Sequence, residues 1–560
     1  MMMKKLLLLL FFAALPLAGI AQVDAVTINV DLSRDRGPAT PIWSWIGYDE
    51  PNYTYMKNGN KLLSELARMN QGVVYVRAHN LLTSGDGEAA LKWGSTNVYT
   101  EDKKGRPVYD WTIFDKIIDT YINKGMRPLL ELGFMPEALS VNPEPYRHHW
   151  GVANNYNDIY TGWTFPPKSY EKWAELIYQV VKHCVGRYGE EEVAQWYFEL
   201  WNEPNIGYWS GTFEEYCKLY DYTANAVKRA LPQAKVGGPG TTDPSARGAR
   251  NYLVNFLKHV TEGKNYLTGE TGTPIDFITF HAKGGPRVID GNVRMNIGRQ
   301  LKNIEEGFKA ISEFPSLMDL PVMITESDPE GCAACSVDLH PQNAYRNGTM
   351  YSSYTAASFA REYDIAAKYG VNFIGAVTWA FEFEGQKWFA GFRDLATNGV
   401  DKPVLNVFRM FGMLNKNLCE AVASRNFSAD HIIENSVRGE ADINALATYD
   451  EKGAGIMVWN YHDDNIPAPA SKVTLNVDGL KEGRVQVMHY RIDDKFSNSY
   501  EAWKSMGSPQ NPTDEQISAL ERAGQLQLYT SPFYENVAEG KLSLEFSLPR
   551  QGVSFVKITY

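Results

Sequence analysis

Two glutamates carry the strongest chemical signal in this 560-residue chain. Glu203 closes the apolar run of FELWNEPN, where Pro204 blocks a regular strand ladder, and Glu326 closes the run of PVMITESDP. Held about 5 to 5.5 Å apart, one ionised and one protonated, two carboxyls can cleave a glycosidic bond with retention. The acid must keep its proton near neutral pH while the nucleophile stays ionised until attack. Glu203 fits the acid/base role and Glu326 the nucleophile. Once Glu326 is consumed in a glycosyl ester its charge disappears, the pKa of Glu203 falls, and Glu203 can deprotonate the incoming water. Asn202 is placed to hydrogen-bond the sugar 2-OH, a contact that strengthens in the oxocarbenium-like transition state. The competing reading makes each glutamate a strand-end carboxylate paired with an arginine. Their delivery from two separate strand ends favours the chemical reading.

The elements that must position them alternate. From about residue 40 to 415, eight β-like runs are separated by amphipathic stretches whose apolar residues recur at three and four. The runs are PIWSWIGY (41–48), VVYVRAH (73–79), PLLELGF (128–134), WYFELWNE (196–203), AKVGGPG (234–240), DFITFHAKG (276–284), PVMITES (321–327) and FIGAVTWAF (373–381). Eight strand–helix repeats predict an α/β fold, a (β/α)8 TIM barrel, with chemistry at the C-terminal strand ends. His79, Phe134, Glu203, His281, Glu326 and Trp379 all fall at or just past such ends. From 416 to 560, short alternating segments between Gly, Pro and Asp turns predict an antiparallel β-sandwich. Residues 22–39, with AVTINVDLS at 25–33, are expected to add a strand to it, making that domain discontinuous. A polar interruption at 497–524 is expected to reach back over the barrel mouth.

These motifs resemble the barrel glycosidases with acid/base on strand four and nucleophile on strand seven, and within them glycoside hydrolase family 39. The resemblance rests on YVRAHNLL (75–82), ELGFMP (131–136), WNEPNIGYW (201–209), FHAKG (280–284), ITESDP (324–329) and HYRIDDKFSNSYEAW (489–503), and spans about 40 to 560. WNEP alone is shared by several families; its ordered combination with HAKG and the HYRID segment is specific. The resemblance implies Glu203 as acid/base and Glu326 as nucleophile, with Asn202, His79 and His281 around the sugar in the −1 subsite and Phe134 and Trp379 as its walls. Taken alone, each histidine reads as a structural residue and Trp379 equally well as barrel packing. Lys283 is expected to meet a sugar hydroxyl, or a carboxylate if the sugar is a uronate; the alternative is a salt bridge. After strand eight, WAFEFEGQKWFAGF departs from the family spacing, and Glu382 rather than Glu384 is taken as the acid that binds sugar hydroxyls. Arg77 either braces Glu326 or forms an ion pair inside the barrel.

The expected activity is an exo-acting retaining β-xylosidase releasing xylose from xylo-oligosaccharides, without metal or organic cofactor. The same mechanism on a β-galactoside, arabinoside or uronide is the alternative, and a non-catalytic sugar-binding barrel the more remote one. A uronidase needs extra cations at the pocket, for which Lys283 and Arg287 are the candidates. The partner is thus an oligosaccharide or glycoside; relatives that are oligomers make a homo-oligomer an open expectation.

Bulk properties agree. A formal net charge of −11 and no basic stripe exclude a nucleic-acid partner, while 13% aromatic residues suit stacking on pyranose faces. Lys4, Lys5, the apolar run Leu6–Leu17 and small residues at Gly19 and Ala21 read as a signal peptide over 1–21, implying export to the periplasm or exterior. No later stretch reaches the roughly 20 apolar residues of a membrane span, so no membrane insertion is expected. Five cysteines do not make a disulfide framework. The CxxC of Cys332 and Cys335 lacks a second ligand pair for zinc and reads as a loop pair or a local disulfide.

Overall fold

A computed structural model describes residues 25–146, 162–425 and 427–560. The signal-peptide reading at 1–21 lies outside them. Each of the eight sequence runs overlaps a barrel strand: β1 Trp45–Tyr48, β2 Tyr75–Ala78, β3 Arg127–Leu132, β4 Tyr197–Leu200, β5 Lys235–Thr241, β6 Phe277–Lys283 and β7 Val322–Asp328, with β8 in two pieces, Phe373–Ala376 and Thr378–Trp379. Neighbours pair in parallel throughout, and the break in β8 closes the ring. Its first piece pairs with β7, its second with β1. At the hinge, Val377 donates to Ile324 O at 2.8 Å and accepts from Ser327 N at 2.9 Å.

Because both faces of a parallel barrel strand are covered, these strands are buried almost end to end. The closing strand needs one concession from its neighbour. A Cβ on Gly47 of β1 would lie 2.3 Å from two ring carbons of Trp379, so only glycine lets that indole lie across the strand.

The N-terminal strand Ala25–Pro38 pairs antiparallel with Asn417–Ala423 and parallel with Ser471–Asp478. It is inserted within a nine-stranded sheet built otherwise from strands after residue 416. The sheet is therefore mixed: the first strand pairs with a segment whose direction later turns have already set. It curls on itself, bringing Phe546 from one edge strand to 4.8 Å from His489 near the other edge, with Arg491 donating to Ser547 O at 2.8 Å. Val26, Ile28 and Val30 share the enclosed core with Ile456, Leu475 and Val556.

The interruption at 497–524 forms two helices, Ser499–Ser505 and Asp514–Gly524. They pack on the loop after β8, where Trp503 and Leu520 cluster with Trp388, Phe389 and Val400. Gln510 clamps Trp388 by bonding both its N–H and its carbonyl. No helix of the described residues is long and apolar enough to cross a membrane.

Candidate active site

The fourth strand stops at Leu200, three residues before Glu203. Trp201 and Glu203 then take left-handed backbone angles, φ 67° and 44°, which bulky residues adopt only when the surroundings fix them. Three bonds do so. Trp201 N donates to Leu132 O at 3.3 Å, Glu203 N to Gly240 O at 3.0 Å, and the Trp201 indole to Tyr208 O at 2.8 Å. Thr212 and Glu215 then form a reciprocal capping box that starts the helix Phe213–Ala230, worth about 1 kcal/mol. The turn carrying Glu203 is thereby fixed at both ends.

Glu326 lies within β7 in register with His281 of β6, at a bulge that interrupts the pairing after Ile324. One oxygen each of Glu203 and Glu326 and one nitrogen of His281 lie within 4.8 Å of one another. His281 Nδ1 is 2.9 Å from Glu203 Oε1 and 3.6 Å from Glu326 Oε1. Lys283 Nζ lies 2.7 Å from Glu326 Oε2 and 2.6 Å from Asp328 Oδ2. Arg77 reaches Glu326 at 3.4 Å, Glu131 at 2.9 Å and Glu199 at 2.5 Å, and donates to Asn202 Oδ1 at 3.3 Å. It both braces Glu326 and forms the ion pairs inside the barrel.

The two glutamates differ in charge state. Burial pushes Glu203 up to about 8, and the Glu326 charge adds to this. Burial also opposes ionisation of Glu326, but Lys283, His281 and His79 outweigh it and hold that carboxyl well below the usual range. His281 is driven down to about 3 by burial, so its imidazole is neutral. His79, whose burial is outweighed by Glu131, Asp49 and Glu326, is pushed up to about 10 and is an imidazolium. At neutral pH the site thus holds one protonated and one ionised glutamate side by side.

Trp379 and Phe134 both face His79, with ring centroids at 4.3 and 6.1 Å. Phe134 continues into Tyr208 at 5.8 Å and Tyr208 into Tyr146 at 5.2 Å. Beside Glu203 and Lys283 a cleft of about 360 Å³ opens, lined further by Asp243, Arg299, Glu330 and Gln342.

The structure brings Asn202, His79, Phe134, His281, Lys283 and Trp379 together with Glu203 and Glu326, but not Glu382. Phe381 stacks on Tyr48 at 3.9 Å, and the next residue turns away from the barrel axis. The Glu382 carboxyl is buried, accepts from Gly399 N at 2.5 Å, and has Asp394, Glu384 and Lys61 as its charged neighbours. It holds the loop after β8. Glu384 accepts from Asn58 N at 3.0 Å, so neither acid is seen among the residues around Glu203 and Glu326. Reading the sequence also missed Asp49, Lys92 and Asp328. Asp49 directly follows β1 and Asp328 ends β7, positions that the strand-end rule could have flagged. Lys92, in an irregular excursion after β2, carries no local signal.

With those positions set, relatedness can be judged on the whole chain. The sequence profile of glycosyl hydrolases family 39 matches residues 26–535. The chain belongs to this family. Among its relatives, a β-xylosidase of Caldicellulosiruptor saccharolyticus is 27% identical over 509 residues, covering 89% of this chain and 92% of the relative. An α-L-iduronidase of Mus musculus is 23% identical, covering 98% and 84%. A monomeric β-xylosidase from Caulobacter crescentus CB15 shares the fold, with a TM-score of 0.73 at 22% identity, covering 95% and 99%. The protein is a glycoside hydrolase on a barrel with an appended β domain.

The trio Glu203, His281 and Glu326 also has the donor types of a metal site. Lys283 and the Arg77 guanidinium already share the Glu326 carboxylate, so a divalent ion would face two fixed cations within contact distance. The donor set fits proton and glycosyl transfer better than metal binding. Cys332 and Cys335 are disulfide-bonded just past β7, and Arg346 gathers the carbonyls of Cys332, Ala333 and Cys335 beneath that loop. Cys184, Cys217 and Cys419 are buried free thiols.

Proposed function

We propose that this enzyme is an exo-acting retaining β-xylosidase in which Glu326 attacks the anomeric carbon and Glu203 protonates the leaving oxygen. The observation that supports this most is that one oxygen of Glu203 and one of Glu326 lie within 4.8 Å of each other, close to the roughly 5 to 5.5 Å spacing of a nucleophile and an acid. In the first step the Glu203 proton passes to the glycosidic oxygen as the C1–O bond breaks and an ester to Glu326 forms. In the second, Glu203 takes a proton from water, whose oxygen replaces Glu326 at C1. Asn202 is available to the 2-OH, and Trp379 and Phe134 wall the sugar. The cleft beside Glu203 takes the leaving group. The signal-peptide pattern read at 1–21 supports the proposal that the enzyme is exported and acts on oligosaccharides outside the cytoplasm.

A neutral sugar fits better than a uronate. Lys283 is engaged by Glu326 and Asp328, and Arg287 lies exposed on a hairpin. Hydrolysis of p-nitrophenyl glycosides that differ only in the sugar tests the choice, with the β-D-xyloside expected to have the largest kcat/KM. Preference for an α-L-iduronide would overturn it. The first-formed product, followed by proton NMR, is expected to keep the β configuration; initial α product would overturn the double displacement.

The pH profile follows from the charge states. Glu203 must be protonated for the first step, and burial, with the Glu326 charge beside it, pushes its pKa up to about 8. The kcat/KM for the cleaved glycoside is therefore expected to fall tenfold per pH unit above about pH 8, while Glu326 stays ionised down to well below pH 4.5. Rates measured from pH 4 to 10 check this. A basic limb centred near pH 5 would mean that burial and the Glu326 charge do not hold the Glu203 proton in the free enzyme.

A further inference from the structure

The charged and titratable side chains around the barrel mouth divide by their residual exposure. Arg77, Glu131, Glu199, His281 and Asp328 are sealed, each with a side chain 0% exposed. Glu203, Glu326, His79 and Lys283 keep 6 to 9%. Asp49 and Lys92 keep 8% and 5%, comparable with this second group.

Their position can be deduced from His79. Its Nδ1 is 2.8 Å from Asp49 Oδ1, while its Nε2 is 3.5 Å from Glu326 Oε1. Asp49 and Glu326 therefore lie on opposite sides of one imidazole, separated by at most a ring width and two hydrogen-bond lengths. Both carboxylates thus border the same imidazole. Trp379 also reaches Asp49: its indole N–H donates to Asp49 at 3.2 Å, while its backbone N–H donates to Asp328 at 2.9 Å. Lys92 comes from the excursion between β2 and the helix Thr112–Ile122, and its ammonium contacts Asp49 Oδ2. The excursion is tied to the segment after β1, since Lys92 N donates to Glu50 at 2.7 Å and Asn52 bonds both Ser95 N and Ser95 O at 2.9 Å.

A buried lysine–aspartate pair stabilises a fold little, because desolvation cancels most of its attraction. Asp49 accepts from His79, Trp379 and Lys92, which leaves about one of its roughly four acceptor positions. Resting on the proposed sugar placement, we propose that Asp49 and Lys92 close the far end of the −1 pocket and hydrogen-bond the hydroxyls of the terminal sugar that are remote from C1. This pair would then read the sugar at its 3- and 4-positions and require a chain end, which is what exo action means structurally.

The test compares the cleaved aryl glycoside with its 3-deoxy and 4-deoxy analogues, using wild type, Lys92→Met and Asp49→Asn. A site built to hydrogen-bond a hydroxyl rejects the analogue lacking it, and wild type is expected to lose at least about 100-fold in kcat/KM on one of the two. In Lys92→Met that ratio is expected to shrink to within about tenfold, with Lys92→Arg restoring part of it. Equal losses on parent and analogues would make the pair merely structural. Wild type that does not distinguish the analogues overturns the proposal without any variant. The series is built on whichever glycoside the sugar panel shows to be cleaved, so failure of the xyloside would overturn the sugar and leave this pair to be judged separately.

Discussion

Glu326→Ala is expected to lower kcat on the cleaved glycoside by at least about 10⁴-fold, a loss of about 5.5 kcal/mol of transition-state stabilisation. The variant lacks the atom that bonds to C1, and the truncation leaves a space lined by Lys283, Arg77 and His79. These cations suit a small anion. Azide added to the variant is expected to restore turnover on an activated aryl glycoside and to give the α-glycosyl azide from a β-substrate, because one displacement inverts where two retain. Glu203→Ala provides the contrast: with azide it should give the β-azide, since the anion then attacks the glycosyl ester on Glu326. The two anomers, separated by NMR, assign both glutamates at once. Full activity of Glu326→Ala would remove it from the chemistry.

The second large effect concerns Arg77, whose side chain is fully buried among Glu131, Glu199 and Glu326. Arg77→Met is expected to cost about 3 to 5 kcal/mol of stability, the range for breaking a buried ion pair by removing one partner. The deficit should depend on pH in a definite direction. Burial, followed by its other neighbours, already pushes Glu131 up to about 7 against the pull of His79 and Arg77. Without Arg77 that carboxyl holds its proton to still higher pH in the folded state, whereas the unfolded chain loses it near the ordinary glutamate value of about 4.3. A group raised on folding contributes its stability below the unfolded pKa and loses it as pH rises toward the folded one. The fall in thermal midpoint from wild type to Arg77→Met should therefore be larger at pH 8 than at pH 5. Arg77→Lys keeps the charge but not the planar fork that serves three carboxylates, and should fall between them. A deficit independent of pH would mean that packing against Trp379, 5.0 Å from the guanidinium, matters more than charge.

Local physics made much of this legible. Alternation of period two with period 3.6 is a property of short windows, so all eight barrel strands and the later β segments could be found before any contact was known. Proline after Glu203 marked where that side chain leaves the ladder, whereas Glu326 lies inside β7, two residues before its end. His79, His281, Phe134 and Trp379 followed from the same strand-end logic. Glu382 did not, because the direction taken by a loop after its strand depends on what it packs against. Phe381 on Tyr48 and Gly399 N on the carboxyl decide that, and both partners are remote or unpatterned in sequence.

By itself the sequence determined the barrel, the appended β domain and the two glutamates, since strand period, turn residues and strand ends are written within a few neighbouring positions. Only the tertiary structure supplies the surroundings that favour a protonated Glu203 beside an ionised Glu326, and the contact between Asp49 and Lys92. Those depend on burial and on charges delivered from separate segments: Lys283 and His79 beside Glu326, and Lys92 brought to Asp49 by a backbone excursion. Electrostatic energy is set by distance and local dielectric, and no single stretch of chain contains either.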